Sequence, residues 1–346
     1  MEPNEAVKAA LSHKNKFKLL LVGGAAAVAA AVVALGVGYK YWRKPETRVR
    51  VGVVSQLLVH PLKSGKAVSV PLAECLTKGL KCGQMQDRHW LVVTEDGHMV
   101  TGRQEPRLVL VSLTCEGGQA CLNGPDMTEM RFPIRQPDNA VMDCRVFGAD
   151  IQGRDCGDEA SRWLVRYLKG EKTFRLVHFE PHMRARRAVD AEPLFSPNEE
   201  VVYPDCGPVM LLSEASVKHL SGKLDKDLTV ERFRPNIVIG DCEAYDEDSW
   251  EEIQIGSVRL RRVMSCGRCI FTTVDPETGI INRKEPLETL KSSYIAHLET
   301  EETVHYRLCK PDEKHIYKSA PLFGQLLSVE KTGVMQVGDD VFKISR

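Results

Sequence analysis

Residues 263–283 read VMSCGRCIFTTVDPETGIINR, with Cys266 and Cys269 in a C-x-x-C spacing and Arg268 against the second cysteine. Three chemistries use such a pair: a zinc site, a redox dithiol, or one thiolate offered to another group. Structural zinc needs four ligands, as a rule two such pairs or one pair with closely spaced histidines. No second C-x-x-C exists here, no H-x3–5-H follows, and Cys242 and Cys309 stand alone. A thioredoxin-type dithiol opens a helix after a strand in a βαβ context. Here the β-formers Ile270 to Val274 follow instead, which puts the pair on a strand or loop. What remains is one functional thiolate, with Arg268 near enough to favour its ionised form, or a pair of buried core cysteines.

Three other stretches carry chemistry. HPLKSGKAV ends an apolar run with Lys63 and Ser64 in a glycine-containing turn, where amides, a hydroxyl and an ammonium can gather around an anion. DRHWLVV places Arg88 at the mouth of a second apolar run, and RFRPNIVI places Arg234 just before a third. Each arginine alone reads as a solvated surface charge. Together, basic residues that precede apolar strands would converge at one end of a small barrel. YPDCGPVMLLSEAS adds Asp205, Cys206 and Gly207 in a loop that opens another strand.

These residues must be positioned by short strands. Val51 to Val59 is apolar and β-branched, and Trp90–Thr94 and His98–Thr101 flank the hairpin signal Glu95-Asp96-Gly97. Strands are also expected at 108–113, 130–134, 144–147, 151–153, 175–178, 209–212, 236–239, 253–263 and 334–344. A helix fits Glu159–Leu168, with Asp158 as its cap and Gly170 at its end, and Ser213 opens another. Short strands, few helices and no βαβ alternation define an α+β, β-rich body built on a curled or closed barrel. Its two parts are expected at 51–178 and 179–346.

The chain has 346 residues with 47 basic and 47 acidic side chains, so its net charge gives no reason to invoke nucleic acid. Eleven cysteines, spread singly from Cys75 to Cys309, argue against a disulfide framework and for a reducing surrounding. After a flank at 1–18, residues 19–39 run 21 positions without a charge, long enough for one transmembrane helix. Tyr41, Trp42 and a basic stretch at 40–50 follow it; five basic residues there against four at 1–18 favour a cytosolic body.

The segments HPLKSGK, TGRQEPRLVLVSL, VHFEPHMRARR, LLSEAS, RFRPNIVI, RVMSCGRCIFTTVDPETG and KEPLETLKS, in that order, resemble the amidoxime-reducing components of the mitochondrion, within the MOSC family of molybdenum-cofactor proteins. The resemblance runs from about residue 51 to the C-terminus. It implies that Cys269 is the metal's thiolate ligand in a molybdenum–molybdopterin cofactor and that Cys266 is only its neighbour. It further implies that Lys63, Ser64, Arg88, Arg234 and Arg268 hold the pterin and its phosphate, with Cys206, Gly207 and Gly267 beside them. Asp205 borders the metal as a proton donor, or else caps its loop. Where relatives carry small hydroxyl residues after that aspartate, this chain has Cys206 and Gly207, so only backbone contacts survive there.

The implied reaction is two-electron reduction of N-hydroxylated substrates: amidoximes, hydroxylamines and hydroxamic acids. Electrons would come from NADH through cytochrome b5 reductase and cytochrome b5, since no G-x-G-x-x-G opens a βαβ unit. The implied location is the mitochondrial outer membrane, single-pass, with the body facing the cytosol. The rival reading is a cofactor carrier without turnover; the presence of both Cys269 and Asp205 favours the enzyme. Arg184, Arg186 and Arg187 form a basic cluster expected to dock an acidic cytochrome, or else to turn inward.

Overall fold

The apolar run after residue 50 becomes the long first strand of a barrel. In the computed structural model, which describes residues 46–170, 172–296, 317 and 320–345, the strands around the site are as follows. The first half contributes β1 (Thr47–Val59), β2 (Trp90–Thr94), β3 (Val141–Val146), β4 (Ala149–Asp155) and β5 (Phe174–His178). The second contributes β6 (Val209–Ser213), β7 (Ile237–Gly240), β8 (Glu252–Ile255), β9 (Val258–Gly267), β10 (Leu322–Lys331) and β11 (Asp340–Ser345). Three α-helices are described: α1 (Asp158–Leu168), α2 (Glu214–Ser221) and α3 (Leu287–Ala296). The expected membrane segment 19–39 and Cys309 lie outside the described residues. Within those residues no helix is long and apolar enough to cross a membrane.

Seven strands close a barrel in the order β7-β6-β10-β9-β8-β11-β1, shut by pairing of β1 with β7. Val54 stands opposite Ile239 and Leu57 opposite Ile237 across that seam. Val54, Leu57, Val59, Leu211, Ile237, Ile239, Ile253, Leu260 and Leu327 fill the interior as one cluster. Each such buried aliphatic side chain stabilises by ~1.5–3 kcal/mol, so an alternating inward row determines the register of every strand. The second sheet runs β3-β4-β5-β2, and α1 lays Trp163, Leu164, Tyr167 and Leu168 into the core beside it.

Several expectations are corrected. Residues 108–113 are not one strand: Pro106–Leu110 is a 3-10 helix begun by its proline, and the strand is Ser112–Glu116. Gly256, at φ +53°, splits the expected strand 253–263 into the β8–β9 hairpin. Residues 334–344 likewise divide into Gly333–Gln336 and β11. Where strand and loop stood open after Cys269, Ile270–Thr273 is a 3-10 turn, because Thr272 Oγ1 and Thr273 Oγ1 donate back to the carbonyls of Cys269 and Ile270. Asp158 does not cap α1; Gly157 holds that position, and the Asp158 carboxylate instead accepts from Arg175 at 2.6 Å. One parallel pair exists after all, β6 with β7, joined through α2. Its cap is as expected, since Ser213 accepts from the Ser216 amide.

This topology positions the site. β1 runs antiparallel to β7, and β7 parallel to β6, so the end of β1 meets the starts of β6 and β7. Lys63 follows the first, Asp205 precedes the second and Arg234 precedes the third.

Candidate functional site

One cleft gathers the ten candidate residues Lys63, Ser64, Arg88, Asp205, Cys206, Gly207, Arg234, Gly267, Arg268 and Cys269, with Cys266 beside them. It encloses roughly 870 Å³, its open mouth and the solvent there included. Six cations line it (Lys63, Arg88, Arg103, Arg232, Arg234 and Arg268); Asp205, Asp87 and Asp275 pair with Lys63, Arg88 and Arg232, so the cations still outnumber the carboxylates by three. Such an imbalance calls for an anion.

Each charge has an identifiable hold. Lys63 is 4% exposed, and its ammonium donates to the Tyr203 carbonyl at 2.7 Å and to the Asp205 carboxylate. Burial lowers its pKa, with Arg186 and Arg88 adding to the effect and Asp205 opposing it. Solvent reaches Asp205 through the mouth (side chain 63% exposed) while protein rings its other sides. Desolvation there disfavours the charge, but Lys63, Arg103 and Arg88 outweigh it and hold the carboxyl below its ordinary range. At neutral pH Asp205 is therefore an ion-pair partner, not a store of protons.

Arg88 bonds the fully buried Asp87, and its other nitrogen donates to the Arg234 carbonyl at 3.2 Å. Arg234 Nη1 donates to Gly65 O at 2.6 Å, while Nη2 is buried without a partner among the described residues. Burial first, and then Arg88, push its guanidinium down to about 9. Burial and a neighbouring cation disfavour this charge, and an anion placed beside it would favour it again. Arg268 is spent on the fold instead: it donates to Phe323 O at 2.8 Å and to Phe233 O at 2.9 Å. Ser64, Arg88 and Arg234 all adopt left-handed backbone, with φ of 65°, 52° and 57°. Strain of that kind persists where the surroundings over-determine it, as binding sites do.

The three cysteines differ. Burial raises the thiols of Cys206 and Cys266, and although Arg268 opposes this at Cys266, the net direction is upward for both. Cys269 alone is exposed, at the start of its 3-10 turn. It is the soft donor in the pocket that is open to a metal. The orphaned Arg234 nitrogen, the cationic lining and this one accessible sulfur fit a cofactor that carries both a phosphate and a thiophilic metal. Gly207 is required beside them, because a Cβ would come within 2.8 Å of the Phe195 ring.

Sequence reasoning missed several lining residues. Asn236, 1% exposed, is the hub of the floor: its amide donates to Leu58 O and Asp87, and its oxygen accepts from the Met210 amide. It was legible only as the first residue of a strand. Arg103 and Thr101 belong to TGRQEP, whose Gly102 is the available signal: a Cβ there would meet the Phe271 ring at 2.1 Å. Of the basic cluster, Arg186 is 5% exposed and braces the loop before Asp205 by donating to Val202 O and Pro204 O. Arg187 is exposed and paired with Asp190, so only Arg184 and Arg187 face solvent.

Residues 51–171 match the MOSC N-terminal beta barrel domain, and residues 198–342 match the MOSC domain. The chain is 55% identical to mitochondrial amidoxime-reducing component 1 of Danio rerio, over 100% of both chains. It is 52% identical to mitochondrial amidoxime reducing component 2 of Bos taurus over 88% of each, and 47% identical to component 1 of Homo sapiens over 93% of each. The chain belongs to the family of mitochondrial amidoxime-reducing components.

Proposed function

We propose that the protein is a molybdenum-cofactor reductase of N-hydroxylated compounds, converting amidoximes, hydroxylamines and hydroxamic acids to amidines, amines and amides. The observation that carries this reading is the meeting of one accessible thiol, Cys269, with an under-neutralised cationic cleft. Lys63, Ser64, Arg88 and Arg234 hold the pterin and phosphate; Cys206, Gly207 and Gly267 line the approach; Cys269 ligates the metal. Arg268 positions the Cys266–Cys269 turn through its two carbonyl contacts. When bound, the molybdenum centre supplies the two-electron reduction that splits the N–O bond and releases water.

The chain's own residues handle charge and protons. Desolvation makes the Lys63 ammonium a better acid than an ordinary lysine, and its bond to Asp205 at the open mouth makes the two a pair able to pass a proton into the pocket. Asp205 is open to water on one side and bonded to Lys63 on the other, and it keeps that ammonium charged. Electrons arrive from NADH through cytochrome b5 reductase and cytochrome b5. Residues 19–39 anchor the body to the mitochondrial outer membrane with the cleft on the cytosolic side. The test compares two variants for molybdenum content and benzamidoxime reduction. Cys269→Ala is expected to abolish turnover, and Cys266→Ala to keep most of it. Full turnover and metal content in Cys269→Ala would overturn the assignment.

A further inference from the structure

Phe147 sits at the tip of the β3–β4 hairpin, between Val146 and Gly148. Its φ is +51° and that of Gly148 is +85°. Such two-residue turns take Asn-Gly or Asp-Gly, and a bulky aromatic at the first position is an outlier. Core packing does not explain the choice, because the side chain is 42% exposed. The ring lies instead beside two residues that line the pocket, 5.0 Å from Lys63 Nζ and 5.2 Å from the Arg103 guanidinium.

Its position is enforced by the scaffold on both sides. The Arg145 amide donates to Gly97 O at 2.9 Å, and the Met99 amide donates to Arg145 O at 3.1 Å. These bonds dock the hairpin against the segment that leads to Arg103. The Arg103 turn is itself rigid. The Thr101 amide and hydroxyl both donate to Gln104 Oε1, at 2.8 and 2.9 Å, and Gly102 rests on the Phe271 ring. Phe271 in turn lies two residues past Cys269. Among the described residues Arg103 makes no ion pair, so its guanidinium keeps donors to offer a ligand.

We propose that Phe147 and Arg103 form the substrate-recognition wall of the cleft, selecting planar, conjugated N-hydroxylated compounds. The ring packs against the conjugated body of the substrate, and Arg103 donates to the oxygen of its N–O group. The proposal rests on the reductase reading and deepens it by naming what sets preference at that site.

The test uses the cofactor-loaded protein, with benzamidoxime and acetamidoxime as an aryl and an alkyl probe. Phe147→Asn restores the residue that the turn prefers, so the variant is expected to melt at or above the parent temperature. Its preference for the aryl probe, measured both as a ratio of Kd values by calorimetry and as a ratio of kcat/KM, falls roughly 3- to 10-fold, the size of an aromatic contact. The change sits in KM. Arg103→Gln weakens binding of both probes alike. An unchanged aryl-to-alkyl ratio in Phe147→Asn overturns the wall, as does a lowered melting temperature with equal loss for both probes, which would make the ring a brace. If neither probe is reduced by the metal-loaded parent but the Kd ratio still depends on position 147, the wall stands and the reductase reading falls.

Discussion

Arg234→Met separates a cofactor cradle from an ordinary structural arginine, because the two roles shift stability in opposite directions. Methionine keeps most of the apolar stem and removes the guanidinium. The Arg88 contact is made to the Arg234 carbonyl and survives the change. Without cofactor, the variant loses the charged bond to Gly65 O, worth roughly 1.5–3 kcal/mol. It also sheds a buried cation that burial and Arg88 already disfavour, so the melting temperature of the empty protein should hold or rise. With cofactor the sign reverses. A charge-assisted contact to an anion is worth roughly 1.5–3 kcal/mol, about ten- to a hundred-fold in affinity. Ligand binding stabilises by RT ln(1 + [L]/Kd), so each tenfold loss narrows the gap between loaded and empty protein by about 1.4 kcal/mol, roughly 2 °C at this size. The assay pairs molybdenum per chain, by elemental analysis, with melting curves of both forms. Turnover per bound molybdenum should change far less than occupancy. A variant with parental occupancy and a lowered melting temperature when empty would refute the cradle.

Two further outcomes follow from the shifted groups. Glu247 is 1% exposed, with Oε2 unpartnered among the described residues, and burial followed by Asp248 raises its pKa above the ordinary 4.5. A carboxyl that binds its proton more tightly when folded contributes stability below the unfolded pKa and loses it as pH rises through the folded one. Glu247→Gln should therefore raise the melting temperature at pH 7–8 and have little effect near pH 4; equal shifts at both would show the effect is packing. Asp205→Asn removes the group that raises the Lys63 pKa, so the alkaline limb of the kcat profile should move to lower pH. A limb that stays in place would exclude Lys63 as the donor.

Much of this was legible locally. The turn residues around Lys63-Ser64-Gly65, the alternating β1 and the Ser213 cap are written within a few residues of where they act, and the structure keeps them. β10 was not legible: its first seven residues are buried, so it shows no alternation to mark it as a strand. After Cys269 the sequence leaves strand and loop open; the threonine hydroxyls that bond back to the chain decide for a turn. Residue types and order alone determined that one soft thiol and several cations were present, and the seven motif segments determined the family. Only the tertiary structure decided that Arg268 is spent on carbonyls, that Arg186 points inward, that Asp205 is neutralised by Lys63, and that Cys266 is held as a thiol while Cys269 is exposed. Partnering and burial set what an ionisable side chain can do, and both depend on groups that lie 55 residues away for the Arg268–Phe323 bond and 142 for the Lys63–Asp205 pair.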